Sequence, residues 1–301
     1  MRALPFFLAR LFSKVMRLTL SKFKPADIKP HRTLCLVGKR GTGKSVLLAD
    51  LLWSMRDRID FAMCFTPTQD SKDMFEEHMP PSWVHSDFDP VKMEQLCKLQ
   101  RETPTDKRRH VLVVLDDMMS DKRVLKSTAI RDIFFNGRHC YITFVLTMQY
   151  LCDMPPDLRS NVDYVMSLKD NIIANKQRLH KYFYGVFPTF QDFATVHDSV
   201  TANYGALVLD NTSRSNELSE QLSWYRANPE PRAFRIGREI FWRLHARNAK
   251  GSQVMREERE DKEKMRALEH SARARADRIV SVQRTDEDGR LVQEGDKMYI
   301  L

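Results

Sequence analysis

The chain has 301 residues, of which 42% are apolar and 30% are charged. This composition excludes a wholly disordered, collagen-like or low-complexity protein, and no apolar run approaches the roughly 20 residues that span a bilayer. The net charge of +9 is uneven, because residues 1–30 carry +6, residues 31–228 carry zero and residues 229–301 carry +3. We therefore expect a soluble or peripheral protein whose basic flanks contact nucleic acid or an anionic surface, or are solvated tails.

The first segment, residues 1–30, is basic and contains no acid before Asp27. Apolar residues from Leu4 to Val15 share one helical face while Arg10, Lys14 and Arg17 line another, which predicts a short amphipathic helix within residues 1–26. Three explanations stay open: attachment to a membrane surface or partner, an organelle transit peptide, or packing on the following domain. Packing or partner contact is favoured, because the apolar stretch is short and interrupted by proline.

The central segment, residues 31–228, alternates short apolar runs with helical stretches. This pattern predicts an α/β fold with a mostly parallel central sheet flanked by helices on both faces. The runs are continuous in hydrophobicity, so we expect strands buried on both faces. They are Thr33–Val37, Ile59–Phe65, Val111–Leu115, Tyr141–Leu146, Val162–Leu168 and Ala206–Leu209.

A phosphate-binding loop is the strongest signal in the chain. It follows the first apolar run, opens a helical segment and fits the pattern G-x-x-x-x-G-K-[ST]. Glycines allow backbone amides to turn toward phosphates, which the positive end of the following helix also favours. We expect Lys44 to contact the β- and γ-phosphates and Ser45 to give its hydroxyl to Mg²⁺. The loop consists of Gly38, Lys39, Arg40, Gly41, Thr42, Gly43, Lys44 and Ser45.

Two acids and an amide follow the next buried strands. Asp116 comes directly after the run Val111–Leu115 and is the expected metal partner. Asp117 is expected to orient and deprotonate the attacking water, a role more often filled by glutamate. Gln149 follows the run Tyr141–Leu146, where an amide can sense the γ-phosphate and position water.

Two arginines near strand ends, Arg138 and Arg159, are candidates for stabilising charge on a transferred phosphoryl group. Either is suited to donation across a subunit boundary, and an ordinary salt bridge or helix cap is the alternative for each. The five cysteines are scattered and odd in number, which favours buried free thiols in a reducing compartment over disulfides or a zinc site.

The C-terminal part divides into a basic helical extension over residues 229–250 and a charged helical or disordered tail over residues 251–301. The extension interleaves six basic residues with Phe234, Phe241 and Trp242, and we expect at least two of these aromatic residues to pack on the core. The basic residues are Arg232, Arg235, Arg238, Arg243, Arg247 and Lys250.

The order of these motifs resembles the genome-packaging ATPases of large DNA viruses, of the poxvirus type, within the FtsK/HerA group of P-loop ATPases. The resemblance covers about residues 32–227. It is carried by the phosphate-binding loop, the double aspartate, Gln149 and four further stretches. These stretches are Asn136-Gly137-Arg138-His139, Pro155-Pro156 through Asp163-Tyr164, Leu209-Asp210-Asn211-Thr212-Ser213 and Trp224-Tyr225.

The resemblance implies a RecA-like P-loop NTPase core with strand order 5-1-4-3-2 and ATP with Mg²⁺ at a subunit boundary. It further implies a homo-oligomeric ring of about five or six subunits that moves double-stranded DNA into a capsid. The expected location is the host-cell cytoplasm at the viral assembly site, and the virion, with a capsid or membrane-associated packaging site as partner. Two other functions stay open: another P-loop enzyme, such as a small-molecule kinase or GTPase, and an assembly protein that nucleotide stabilises.

Overall fold

The computed structural model describes residues 18–118, 121, 123–149, 154–230 and 232–250, and beyond them only 262–267, 279–280, 288 and 299–300. The chain divides into two compact units, Met1–Trp242 and Arg243–Leu301. The second unit contains helical residues 262–267 and an antiparallel pair of two-residue strands, Ile279–Val280 and Tyr299–Ile300. No helix in the described part of the chain is long and apolar enough to cross a bilayer.

The first unit is built on a nine-stranded sheet. Its strands are β1 (Ser21–Lys22), β2 (Thr33–Val37), β3 (Phe61–Phe65), β4 (Val84–His85), β5 (Val111–Asp116), β6 (Ile142–Met148), β7 (Tyr164–Ser167), β8 (Gly205–Asp210) and β9 (Leu222–Arg226). The helices are α1 (Lys44–Met55), α2 (Gln69–Glu76), α3 (Pro90–Glu102), α4 (Thr128–Asn136), α5 (Pro156–Arg159), α6 (Ile173–Tyr182), α7 (Phe190–Val200) and α8 (Leu218–Gln221). Residues 239–242 of this unit and residues 243–250 of the second unit are also helical.

The sheet order is β1-β9-β8-β7-β2-β6-β5-β3-β4. Its middle, β7-β2-β6-β5-β3, is the expected order 5-1-4-3-2 when the strands are numbered from the phosphate-binding loop strand. These five strands are parallel, and β8 runs antiparallel to both β7 and β9. The predicted α/β fold with a mostly parallel sheet is therefore confirmed.

Two hydrophobic cores lie on the two faces of the sheet, because successive residues of a strand point to opposite faces. In β5, Val113 joins the core that contains Ile130 of α4 and Phe193 of α7, whereas Val114 joins the core that contains Leu48 of α1. All residues of β2, β5 and β6 are buried. The continuous hydrophobicity of these strands thus has the predicted cause: both faces are covered.

The N-terminal helix predicted from the pattern of Leu4 to Arg17 stays a prediction. Residues 1–17 lie outside the described residues, but Ser21–Lys22 form an edge strand that pairs with β9, and Pro25–Asp27 form a single 3-10 turn. Phe23 lies edge-on to Tyr164 and Tyr225, with ring centroids 6.2 and 6.1 Å away. The ring of Phe23 thus packs against the sheet. Pro25 has no backbone N–H group, so it cannot donate the hydrogen bond that a continuing helix or strand would need.

The predicted basic extension is helical only from residue 239, and residues 232–238 run across the domain without regular structure. All three aromatic residues of the segment make contacts in the first unit: Phe234 stacks on His78, Phe241 contacts Phe61, and the indole of Trp242 donates to the Ile236 carbonyl. The expectation that at least two of them pack on the domain is confirmed.

Four of the five cysteines, Cys35, Cys64, Cys97 and Cys140, are buried free thiols, as predicted, and Cys152 lies outside the described residues.

Candidate functional site

The phosphate-binding loop connects β2 to α1 at the carboxyl edge of the parallel strands. Gly41 and Gly43 have φ angles of +79° and +93°, which glycine adopts without steric cost. Gly38 is required for a different reason: a Cβ there would lie 2.7 Å from the Thr42 hydroxyl oxygen and 2.8 Å from Leu168 Cδ1. The sequence pattern therefore corresponds to a tight backbone loop that bulkier residues would distort.

Helix α1 begins directly at the loop. Gly43 is its N-cap, and the first turn closes when the Leu47 amide donates to the Gly43 carbonyl at 2.9 Å. The first amides of a helix have no acceptor within the helix, and the helix dipole adds partial positive charge at the same end. The Thr42 hydroxyl donates to the Lys39 carbonyl at 2.7 Å and stabilises the bend of the loop. This end of α1 is thus suited to an anion such as a phosphate chain.

Three predicted site residues are joined by hydrogen bonds. Lys44 Nζ lies 3.2 Å from Asp117 Oδ1, and Gln149 Nε2 donates to Asp117 Oδ2 at 2.6 Å. The Lys44 side chain is 10% exposed, so its ammonium group is largely removed from solvent. Asp117 has a φ angle of +53°, in the left-handed region that non-glycine residues rarely adopt. The carboxylate of Asp117 is thereby placed between a cation and an amide donor.

Asp116, the predicted metal partner, is 5% exposed and accepts two hydroxyl hydrogen bonds. Thr147 donates to Oδ1 at 2.6 Å, and Thr66 donates to Oδ2 at 3.2 Å. The same Thr147 oxygen accepts from the Asp117 amide at 3.1 Å, so it links the two acids. Burial, and after it the negative charge of Asp116, raises the pKa of the Cys64 thiol well above its ordinary value.

Thr66 and Thr147 are site residues that were not predicted from the sequence. Threonine is common in buried strands, and β6 contains two, Thr143 and Thr147, so nothing in the local sequence distinguishes Thr147. The sheet register brings it to the site: Thr147 pairs with Asp116, and Met148 pairs with Val37, the last residue of β2. Gln149 then follows Met148 at the same edge as the phosphate-binding loop.

The residues present fit a triphosphate with Mg²⁺. Mg²⁺ is typically held by one or two carboxylates, with substrate phosphates and waters completing its octahedron. Asp116 is a buried carboxylate whose orientation is fixed by two hydroxyls, and Ser45 lies on the exposed first turn of α1. The described residues contain no cluster of three His, Cys, Asp or Glu side chains, so they do not form a metal cage made by protein alone.

The two remaining charged side chains of the loop have different surroundings. Lys39 Nζ forms a 2.9 Å ion pair with Asp170, which is 6% exposed and lies beyond β7, and Arg40 is exposed. The backbone of Lys39 and Arg40 therefore belongs to the loop, while the Lys39 side chain ties the loop to the segment after β7.

The two candidate arginines lie at the opposite, amino edge of the sheet. Arg138 precedes β6 and donates to Asp163 at 2.6 Å, and Asp163 in turn accepts from the Thr33 amide at the start of β2. Arg159 ends α5, before β7, and its guanidinium lies 3.8 Å from the ring centroid of Tyr182. The structure therefore brings Lys44, Asp116, Asp117 and Gln149 together but leaves both arginines away from the phosphate-binding loop of their own chain.

Comparison with known proteins places this site in a family. The family model described as Poxvirus A32 protein matches residues 21–181. The chain belongs to the Poxvirus A32 protein family. The match includes β2, the phosphate-binding loop, both aspartates, Gln149 and both candidate arginines. The predicted resemblance to the poxvirus-type proteins is thus confirmed.

Relatives occur in other viruses. The chain is 31% identical over 185 residues to the uncharacterized protein 075L of Invertebrate iridescent virus 6, an alignment that covers 61% of this chain and 72% of the relative. It is 28% identical over 221 residues to the uncharacterized protein 015R of Frog virus 3, with 69% and 68% covered. Among solved structures, the genome packaging NTPase B204 of Sulfolobus turreted icosahedral virus 2 in complex with sulfate matches 68% of this chain and 100% of its own, with 15% identity and a TM-score of 0.49.

Proposed function

We propose that this Poxvirus A32 family member hydrolyses ATP and uses the energy to move double-stranded DNA into a viral capsid. The observation that carries the proposal is the hydrogen-bonded set of Lys44, at the start of α1, with Asp117 and Gln149, beside the buried carboxylate of Asp116. Family membership and relatives in several viruses support the viral context.

The chemistry follows from the placement of each group. The loop amides and Lys44 would bind the phosphates, while Ser45 and Asp116 would hold Mg²⁺, which would supply positive charge beside the phosphates. Lys44 pairs with Asp117, so a triphosphate competes for its ammonium group and frees Asp117 Oδ1 to accept a proton from the attacking water. Gln149 donates to the other oxygen of Asp117 and keeps the carboxylate oriented.

The site needs a positive charge from a second subunit. Both candidate arginines lie at the amino edge, away from the loop of their own chain, so either would have to act on a neighbour's nucleotide in a ring. We favour Arg159, because Arg138 is bound to the buried Asp163 whereas the guanidinium of Arg159 stacks on the ring of Tyr182. Mixing Arg159→Ala chains with Lys44→Ala chains should restore activity, and a mixed ring that stays inactive while remaining assembled would contradict catalysis in trans.

DNA contact is proposed for the basic flanks, through phosphates, because packaging tolerates any sequence. Two arginines of the basic extension already form ion pairs within the domain, Arg232 with Asp50 at 3.3 Å and Arg238 with Asp60 at 3.8 Å. They are therefore weaker candidates for DNA contact than the other basic residues of the extension. Replacing Arg235 and Arg247 by Gln should weaken DNA binding and reduce its salt dependence. The proposed place of action is the packaging site in the host-cell cytoplasm, at the capsid or a membrane, and the virion.

The decisive experiment measures ATP hydrolysis by the full chain with and without double-stranded DNA, together with its mass in solution. We expect DNA to stimulate turnover, and Lys44→Ala and Asp117→Asn each to lower it by two orders of magnitude or more. Turnover that DNA leaves unchanged would favour another kind of P-loop enzyme. ATP binding without turnover would favour an assembly protein.

A further inference from the structure

Tyr204 is an exposed aromatic residue held against the phosphate-binding loop. It lies between α7 and β8 and is 69% exposed, whereas most large aromatic side chains of this unit pack in the cores. A Cβ built on Gly43 would lie 3.3 Å from Tyr204 Cδ1, so the ring is in contact range of the loop's last glycine. In the described part of the chain, no hydrogen bond or ring pair involves this side chain.

The backbone conformation that holds the ring of Tyr204 in this position is energetically unfavourable. Asn203 and Tyr204 have φ angles of +51° and +62°, two consecutive non-glycine residues in the left-handed region. The turn is anchored on both sides: Thr201 is fully buried and donates its hydroxyl to the His197 carbonyl, and a Cβ on Gly205 would collide with the Val200 carbonyl. A strained, anchored turn that presents a solvent-exposed ring is not explained by core packing.

The sheet order gives the direction in which a nucleotide must extend. Strand β2 lies between β6 and β7. The groups assigned to the terminal phosphate lie on the β6 side, because Asp116 ends β5, Asp117 follows it and Gln149 follows β6. The other end of the triphosphate therefore extends toward the β7 and β8 side. Because β8 runs antiparallel to β7, its first residues return to the carboxyl edge, and Tyr204 directly precedes them.

We propose that Tyr204 is the platform on which the base of the bound nucleoside triphosphate stacks. This inference rests on the proposed function, because it assigns the base-binding part of the same site. An aromatic face offers stacking without hydrogen-bond readout, so it accepts any base and favours the larger purines. The chain thus distinguishes a nucleotide from inorganic polyphosphate through Tyr204, and the phosphate-binding loop does not make this distinction.

The test compares the binding of ATP and inorganic tripolyphosphate, each with Mg²⁺, to the full chain by calorimetry. Tyr204→Ala should weaken ATP binding on the order of 10-fold or more and leave tripolyphosphate binding unchanged, while Tyr204→Phe should bind both like the wild type. Lys44→Ala should weaken both ligands. Phe135→Ala, which removes another exposed ring away from the loop, is the matched control and should change neither.

The outcomes separate the two proposals. A wild-type chain that binds tripolyphosphate as tightly as ATP, or a Tyr204→Ala chain with wild-type ATP affinity, would overturn the stacking role and leave the phosphate site intact. A wild-type chain that binds neither ligand would overturn both. A cavity of about 750 Å³ borders Ser45 and Ala233 and is the alternative place for the base. If Ala233→Trp selectively lost ATP binding while Tyr204→Ala kept it, the base would lie in this cavity and the proposal would be refuted.

Discussion

The hydroxyl of Thr147 is the contact that links the metal carboxylate to the proposed base, and Thr147→Val removes it without changing the size of the side chain. Thr147 is fully buried, donates to Asp116 at 2.6 Å and accepts from the Asp117 amide at 3.1 Å. A hydrogen bond to a buried charge contributes about 1.5–3 kcal/mol to stability. We expect a loss of about 2–3 kcal/mol in the free energy of unfolding, which a domain of ordinary stability survives.

The loss in function should be larger than this stability change implies. Partners that orient a metal-binding carboxylate typically change metal affinity or activity by about 10- to 100-fold, so Thr147→Val should need more Mg²⁺ for half-maximal ATP hydrolysis. Thr143→Val is the matched control, because Thr143 is a buried threonine of the same strand that accepts from the His31 amide at the opposite edge. Urea unfolding and Mg²⁺ titration of turnover measure the two effects. A Thr147→Val protein with the wild-type Mg²⁺ dependence, or a Thr143→Val protein with an equal defect, would refute the assigned role.

Three further predictions concern the loop and the fold. Gly38→Ala should weaken Mg²⁺-ATP binding, since its Cβ would lie 2.7 Å from the Thr42 hydroxyl oxygen, while Gly185→Ala, with 4.0 Å to its nearest neighbour, should bind normally in the same calorimetric assay. Asp50→Ala should lower the free energy of unfolding by about 3 kcal/mol, because it leaves the Tyr225 hydroxyl, the Asn228 amide and Arg232 without their buried acceptor; a loss below about 1 kcal/mol in urea would contradict this. Burial, together with the charges of His110 and Arg32, lowers the pKa of His31 to about 4. The contribution of His31 to stability is therefore present above pH 6.5 and is lost as the pH falls toward 4. His31→Gln should flatten the pH dependence of the free energy of unfolding between pH 6.5 and 4, and an unchanged slope would exclude His31 as the source of that dependence.

The central strands could be predicted because each is buried on both faces. In β5 the alternate residues Val113 and Val114 enter different cores, so every position must be apolar and the run is visible in the sequence. The edge strands β1 and β4 have two residues each and give no periodic signal. Their pairing depends on neighbours far away in sequence, such as Trp224 for Lys22.

Some residues of the candidate site could likewise be predicted from the sequence, and others could not. Lys44, Asp116 and Gln149 were found because each follows a recognisable strand, and the ends of parallel strands meet at one edge. Thr66 and Thr147 were missed because a threonine in a buried strand resembles a packing residue until the position of Asp116 is known. The arginines were found as residue types, but the edge of the sheet on which they lie follows from topology and not from their local sequence.

Strand direction explains the largest omission. The sequence shows β8 as an apolar run but does not show that it runs antiparallel to β7, and this direction decides which of its two ends lies beside the phosphate-binding loop. Were β8 parallel, Asp210 would reach the loop and Tyr204 would lie at the amino edge. Because the strand is reversed, Tyr204 contacts Gly43, whereas Asp210 pairs across the sheet with Tyr164 at the other edge. The direction of β8 thus determines which residue can contact the nucleoside, and no local pattern in the sequence predicts that direction.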